Sequence, residues 1–237
     1  MTSFKAQITG SPVIWLLVTL VTYPLALTMH RRTHFSPLAH PVAVSTVILV
    51  TVLTIAKVDY KTYFDGARFI HFLLGPATVA LAVPLYWQIR NVKRNWLGLL
   101  CGALLGSASS VVVAMGVASL LGASHATVLS MAAKSVTMPI AIGLTEKIGG
   151  TPSLTSAIVM LTGVFGAATT QGVLRRLGIS DPHICGFALG VAAHGIGTSR
   201  ALQTSEEMGA FAGLAMGLAG ILTAVLVPIC LQTAGYL

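Results

Sequence analysis

The sequence predicts an all-α polytopic membrane protein of about 6–8 apolar segments, with two inverted repeats and two broken or re-entrant helices that meet at mid-membrane. Three observations carry that prediction. Hydrophobic residues make up 55% of the 237 residues and charged residues 8%, where a soluble chain carries roughly a quarter charged. The apolar residues come in long unbroken runs near the ~20 residues that a helix needs to cross a bilayer, not in the ten-residue alternation of outer-membrane strands. Two of the runs are interrupted by matching polar clusters.

The runs fall at about 12–29, 41–57, 69–87, 97–121, 124–148, 153–174, 183–207 and 209–234, joined by short connections. The first follows Lys5 with no small-residue cleavage site, so it is expected to be retained as a helix. Pro24, Pro76, Pro84 and Pro228 interrupt apolar runs and predict kinks or breaks. Small residues at Gly-x-x-x-Gly spacing, Gly102 with Gly106 and Gly213 with Gly217, predict close helix packing. Residues 1–97 read as scaffold-like spans, 98–208 as tandem repeats with breaks at 134–139 and 194–200, and 209–237 as the last span, all in one membrane domain.

The repeats are the stretches 98–148 and 156–208, which share the order Gly-rich span, Leu-Gly turn, short apolar helix and polar interruption. Gly122 lies 12 residues before Lys134, and His183 lies 11 before His194. At ~1.5 Å per residue that is about 17–18 Å of helix, half a bilayer. From there each chain either crosses or turns back. If both turn back, the loop with Arg90, Lys93 and Arg94 shares one side with Arg175 and Arg176, as the positive-inside rule prefers. Hairpins and inverted repeats are the favoured expectation.

A lysine in mid-membrane is costly and faces a partner or a water-filled cavity; Lys134 is such a residue. Its bland alternative is snorkelling or a structural ion pair. Ser135 and Thr137 add hydroxyls, and Pro139 marks the start of a new helix whose free N–H groups face inward. In the second break Gly195 and Gly197 permit an unwound backbone, Thr198 and Ser199 can cap the next helix, and Arg200 offers a bidentate donor. His194 stands where Lys134 stands in the first repeat, and titrates near neutrality, which suits proton coupling. Glu206 and Glu207 either neutralise Arg200 or form an ordinary acidic helix start. The structural breaks are assigned to Pro76, Pro139 and Gly195.

Other chemistries find no support in the sequence. The net charge of +8 sits in short loop clusters and reads as membrane anchoring, so no nucleic-acid partner is expected. Cys101, Cys185 and Cys230 lie in apolar runs without ligand spacing, and no metal or cofactor is expected. Phosphate-loop and nucleophile-elbow motifs are missing, so the chain is not expected to be an enzyme.

At these residues the chain resembles the LrgB/CidB family, which includes YohK-like bacterial proteins and the LrgB-like half of the plastid glycolate/glycerate translocator. The resemblance runs from about Pro41 to Pro228. It is carried by the stretch from Leu74-Gly75-Pro76 to Pro84-Leu85-Tyr86, by Lys134-Ser135-Val136-Thr137-Met138-Pro139, by Ala193-His194-Gly195-Ile196-Gly197-Thr198-Ser199-Arg200, and by Gly209-Ala210-Phe211. Met138 stands where a second Thr is usual, and His40 where Asn is common. The resemblance implies a multi-pass protein of the bacterial inner membrane with a small LrgA/CidA-type membrane partner. It also implies two functions different in kind, antiholin-like control of murein hydrolases and lysis, or carriage of glycolate and glycerate.

A pore-former has no need of two costly cationic breaks, whereas a carboxylate carrier does. The expected function is therefore a proton-coupled, alternating-access transporter of small carboxylates such as glycolate, glycerate or pyruvate. Its expected substrate site is Lys134, Ser135, Thr137, His194, Gly197, Thr198 and Arg200, with His194 and Glu207 handling the proton. A homodimer through the amino-terminal scaffold is compatible with the sequence. The alternative is an antiholin-like modulator acting with the small partner.

Overall fold

A computed structural model describes residues 11–33, 39, 41–73, 76, 79–80, 86 and 89–236. His40, most of the 69–87 run after Leu73, and Pro84 lie outside the described residues, as do most of the residues between Leu74 and Tyr86 that carry the resemblance there. Pro76 is exposed, and its immediate neighbours also lie outside them. Among the described residues the helices are α1 (Pro12–Arg32), α2 (Pro41–Ala56), α3 (Tyr60–Phe72), α4 (Ile89–Arg94), α5 (Trp96–Leu120), α6 (His125–Met131), α7 (Met138–Ile148), α8 (Pro152–Arg176), α9 (Pro182–Thr204) and α10 (Glu206–Thr233). Of these, α1, α5, α8 and α10 are long and apolar enough to span a membrane. The chain divides into two units, Met1–Ala80 and Leu81–Leu237.

In the first unit α1 packs on α2 and α3. The Trp15 and Tyr63 rings meet edge to face with centroids 6.3 Å apart, and Gly66 lets α3 approach so closely that a Cβ there would strike the Pro12 carbonyl oxygen. Leu17, Val21 and Leu25 remain exposed on α1, as expected of a helix whose outer surface meets lipid. Pro24 lies inside α1, which continues as one helix through it; α10 likewise continues through Pro228. The expected kinks therefore do not break either helix.

The second unit holds both repeats. In the first, Ser124 caps α6 by accepting the Thr127 N–H, and a turn over 132–136 leads to α7, whose first turn carries Pro139. A continuous helix would place Thr151 about 30 Å beyond Ser130. Instead the Thr151 N–H donates to the Ser130 hydroxyl at 2.8 Å, and the Thr155 hydroxyl donates to the Ser130 carbonyl at 3.0 Å. The chain has turned back, and α6 and α7 form a re-entrant hairpin. Ser130, Thr145 and Thr155 at its base are wholly buried, with Thr145 and Thr155 bonded to each other at 3.0 Å. This satisfies polar groups that would otherwise be stranded in an apolar setting.

The second hairpin lies within α9. Its backbone leaves helical geometry at His194, with φ 41° and ψ −129°. Straight helix would put Gly197 about 12 Å past Leu189, yet a Cβ on Gly197 would collide with the Leu189 carbonyl oxygen. The Cys185, Leu189 and Ala201 side chains consequently share one core cluster with Met208 and Ala212. The expected break at Gly195 is corrected by one residue. His194 carries the left-handed backbone, while Gly195 is already helical.

Neighbouring contacts fix the polarity. Gly102 and Gly106 of α5 face Phe187 and Val191 of α9, while Gly186 and Gly190 face Met208 and Ala212 of α10. Thus α5, the entering half of α9, and α10 run parallel. Arg94 and Asp181 line one cleft, and Leu174 and Ile179 pack on the Cys185 cluster, so the basic loops before α5 and after α8 share one end, as the charge distribution predicts. At the other end Tyr236 bonds Ser119 at 2.7 Å and stacks on His125, which opens α6. The two hairpins enter from opposite ends. The repeats are inverted.

Candidate functional site

The two hairpin tips converge on α8. Val159 packs in the same cluster as Ala133 and Val136 of the first tip, and its carbonyl accepts a hydrogen bond from His194 Nε2 of the second tip at 3.1 Å. A carbonyl can only accept, so Nε2 carries a hydrogen and the ring orientation is fixed. Gly163, one turn on, passes close against the imidazole, and Gly166 passes close against Ala192 and Ala193. His194 is buried, and the Lys134 charge lies within electrostatic range of it.

Lys134 Nζ donates to Ser110 Oγ at 3.1 Å and to Ser135 Oγ at 3.0 Å, and the two hydroxyls bond each other at 2.6 Å. Among the described residues no carboxylate lies within ion-pair distance of the ammonium. A structural ion pair therefore does not explain this lysine. An ammonium has three donors, of which the serines take two. The side chain lines a cleft of about 540 Å³ with Leu161, Thr162, Phe165 and Gly166 of α8 and Ala192 of the second tip. One wall thus holds a cation from the first repeat beside a turn of the second.

The remaining sequence-predicted residues divide. Thr137 occupies the N-cap position of α7, but its side chain makes no capping bond, which leaves the N–H groups of that first turn, apart from Pro139, uncapped. Gly197 serves the close approach of the two halves of α9. Thr198 does not cap the returning half; its hydroxyl bonds the His194 carbonyl at 2.9 Å from inside the helix. Arg200 follows His194 by six residues, about 9 Å of rise along the returning half, and is not among the residues that line the Lys134 cleft.

Glu206 and Glu207 lie in the first turn of α10, and Glu207 Oε1 meets His183 Nε2 at 2.5 Å. Asp181 Oδ1 lies 3.4 Å from the other nitrogen of that ring. Glu207 therefore neither neutralises Arg200 nor joins His194. It stays at the mouth of the second hairpin. Sequence reasoning missed Ser110, Thr162 and the Val159 carbonyl. For Ser110 the available signal was the hydroxyl cluster Ser107, Ser109 and Ser110 midway along an apolar helix; for a backbone carbonyl there is none.

These features define a polytopic helical membrane protein built from inverted repeats, each containing a re-entrant hairpin, with a polar site where the tips meet. The LrgB-like family matches residues 19–233. The chain belongs to that family. It is 31% identical over 227 residues to the antiholin-like protein LrgB of Bacillus mycoides strain KBAB4, covering 96% of this chain and 99% of the relative. The same-named proteins of Bacillus cereus strain B4264 and Bacillus anthracis strain CDC 684 are each 30% identical with the same coverage. No solved structure matches significantly.

Proposed function

We propose that the protein is a secondary transporter of small carboxylates of the glycolate, glycerate or pyruvate kind. The observation that carries this reading is the Lys134 ammonium, held by two neutral hydroxyls, without a carboxylate among the described residues, on the wall of a cleft of about 540 Å³. A charge so placed is costly without an anion to receive. In this reading Lys134 holds the carboxylate, Ser135 contacts its oxygens, and the uncapped start of α7 at Thr137 offers further donors. His194, Gly197 and Thr198 shape the opposing tip, with His194 as the proton carrier.

Inverted hairpins entering from opposite ends suit alternating access, since each can open its own side. The positive-inside rule puts the end with Arg94, Arg175 and Arg176 in the cytoplasm of a bacterial inner membrane. A small LrgA/CidA-type protein and a second copy of this chain are the proposed partners, and no chemical conversion of substrate is proposed. The test is uptake of labelled glycolate into proteoliposomes. Uptake that Lys134→Ala leaves unchanged would refute the assigned site.

A second reading is favoured by a specific observation, the name that the relatives bear, antiholin-like protein LrgB. In it the chain modulates a holin-like partner and, through it, murein hydrolases and lysis, and the hairpins are architecture. The relatives' names support this reading more directly than they support transport. Co-purification with the small partner, together with a lysis phenotype unaltered by Lys134→Ala and His194→Ala, is the result it expects.

A further inference from the structure

A second cleft, of about 700 Å³, lies between α5 and the entering half of α9. Arg94, Asn95, Asp181 and His183 stand at its basic-loop end, and Gly98, Leu99, Ala188 and Val191 are among the residues farther in. Two contacts narrow it with depth. A Cβ at Gly102 would sit 3.3 Å from the Phe187 ring, and one at Gly106 only 2.7 Å from Val191 Cγ1. Beyond that second contact the chain changes character on both sides. On α5 the next residue facing the same way is Ser110, about 6 Å of rise further on, whose hydroxyl binds the Lys134 ammonium. On α9 the next residue is Ala192, which lines the Lys134 cleft.

We infer that this second cleft is the route by which a small anion reaches Lys134 from the basic-loop end, and that the Val191 side chain seated on Gly106 is its gate. At the mouth the Asp181 carboxylate is engaged by the His183 and Ile184 N–H groups as the cap of α9, the Arg94 guanidinium is the cation that an anionic visitor meets, and the gate is one isopropyl group thick. A rotamer change of Val191, or a small shift of the second hairpin along α5, joins the two clefts. The glycine opposite it has a mechanical role here. With no Cβ, Gly106 lets Val191 close flush, and Gly102 does the same for Phe187. The same gate explains how one hairpin is shut towards one side while its tip still contributes to the site.

The inference rests on the carboxylate reading only for the identity of the visitor, and the experiment separates the two. In a background of Cys101→Ala, Cys185→Ala and Cys230→Ala, Ser110→Cys is reacted with 2-sulfonatoethyl methanethiosulfonate, a small membrane-impermeant anion, in sealed vesicles of each orientation. Ala188→Cys reports the cleft itself. Ala188→Cys is expected to react readily from the basic-loop end whichever residue occupies 191. Ser110→Cys is expected to react at least tenfold faster with Val191→Ala than with Val191, and only from that end. Equal rates at Ser110 with and without the Val191 substitution, or reaction only from the opposite end, would overturn the gate. Should Val191→Ala not fold, Val191→Ser, which also takes a γ-branch away from the Gly106 contact, is read in the same way. Glycolate then tests the visitor: slowed labelling at Ser110 supports a carboxylate, whereas gated labelling that glycolate does not slow overturns the carboxylate reading and leaves the route standing.

Discussion

Gly163→Ala is the sharpest structural perturbation of the hairpin junction. A Cβ built there would lie 2.7 Å from His194 Cε1, 2.9 Å from its Nε2 and 2.8 Å from Ile196 Cδ1, where carbon atoms ordinarily rest ~3.5–4.0 Å apart. The imidazole would have to withdraw by nearly 1 Å on that scale, yet the ring is buried and anchored to the Val159 carbonyl. Overpacking of this kind costs about 1–3 kcal/mol, and losing the hydrogen bond adds about 1 kcal/mol. The Gly-to-Ala gain in helix propensity returns up to about 1 kcal/mol. The net loss is about 1–3 kcal/mol, or roughly 2–12 °C in Tm for a protein of this size. The assay is thermal unfolding in detergent against Gly172→Ala, which is on the same helix and meets nothing within 4 Å, and is expected to be neutral or stabilising. His194→Gly removes the ring and suits the left-handed backbone, so combined with Gly163→Ala it should restore stability beyond the sum of the single effects. A Gly163→Ala protein as stable as Gly172→Ala would refute the convergence of the second tip on α8.

Three further outcomes are expected. Ser130→Ala strands the Thr151 N–H and removes the tie between the two arms of the first hairpin, with a cost of about 1–3 kcal/mol, readable as earlier thermal unfolding and faster hydrogen exchange at the start of α8. Gly197→Ala collides with the Leu189 carbonyl, a backbone clash that no rotamer relieves, and is expected to lower the yield of monodisperse protein far more than Gly217→Ala, whose Cβ meets nothing within 4 Å. Asp59, fully exposed ahead of α3, has its carboxyl held below the ordinary range chiefly by the Thr62 hydroxyl. A depressed carboxyl stabilises above its unfolded value and loses that contribution as pH falls through its folded value, so NMR titration of Thr62→Val should move its midpoint up.

Several parts of this architecture were legible in the chain because local chemistry signals them. Thr137 with Pro139 marks a helix start wherever it occurs, and an ionisable Lys134 inside an apolar run asks for a cavity. The direction of the hairpins was legible through charge, because two basic loops belong on one side only if both breaks return. What stayed hidden depends on tertiary clamping. The turn of the second hairpin was placed on a glycine because left-handed backbone normally falls there, yet packing against Gly163 and Val159 over-determines it at His194. Arg200 was grouped with the tip by nearness in sequence, although a returning helix carries it away from the tip. Glu207 was assigned to a proton path without sight of His183, 24 residues earlier, which is its partner.

Thermal stabilisation by glycolate, measured side by side on the wild-type protein and Lys134→Met, with glycolamide as the uncharged twin, tests the anion site most directly. Binding to the native state raises apparent stability by mass action, and one charge-assisted contact is worth about 1.5–3 kcal/mol. A concentration-dependent rise in Tm with glycolate is expected for the wild type, and at least a tenfold weaker response for the variant and for the amide. Equal stabilisation of the two proteins by glycolate, or of the wild type by both compounds, would contradict it.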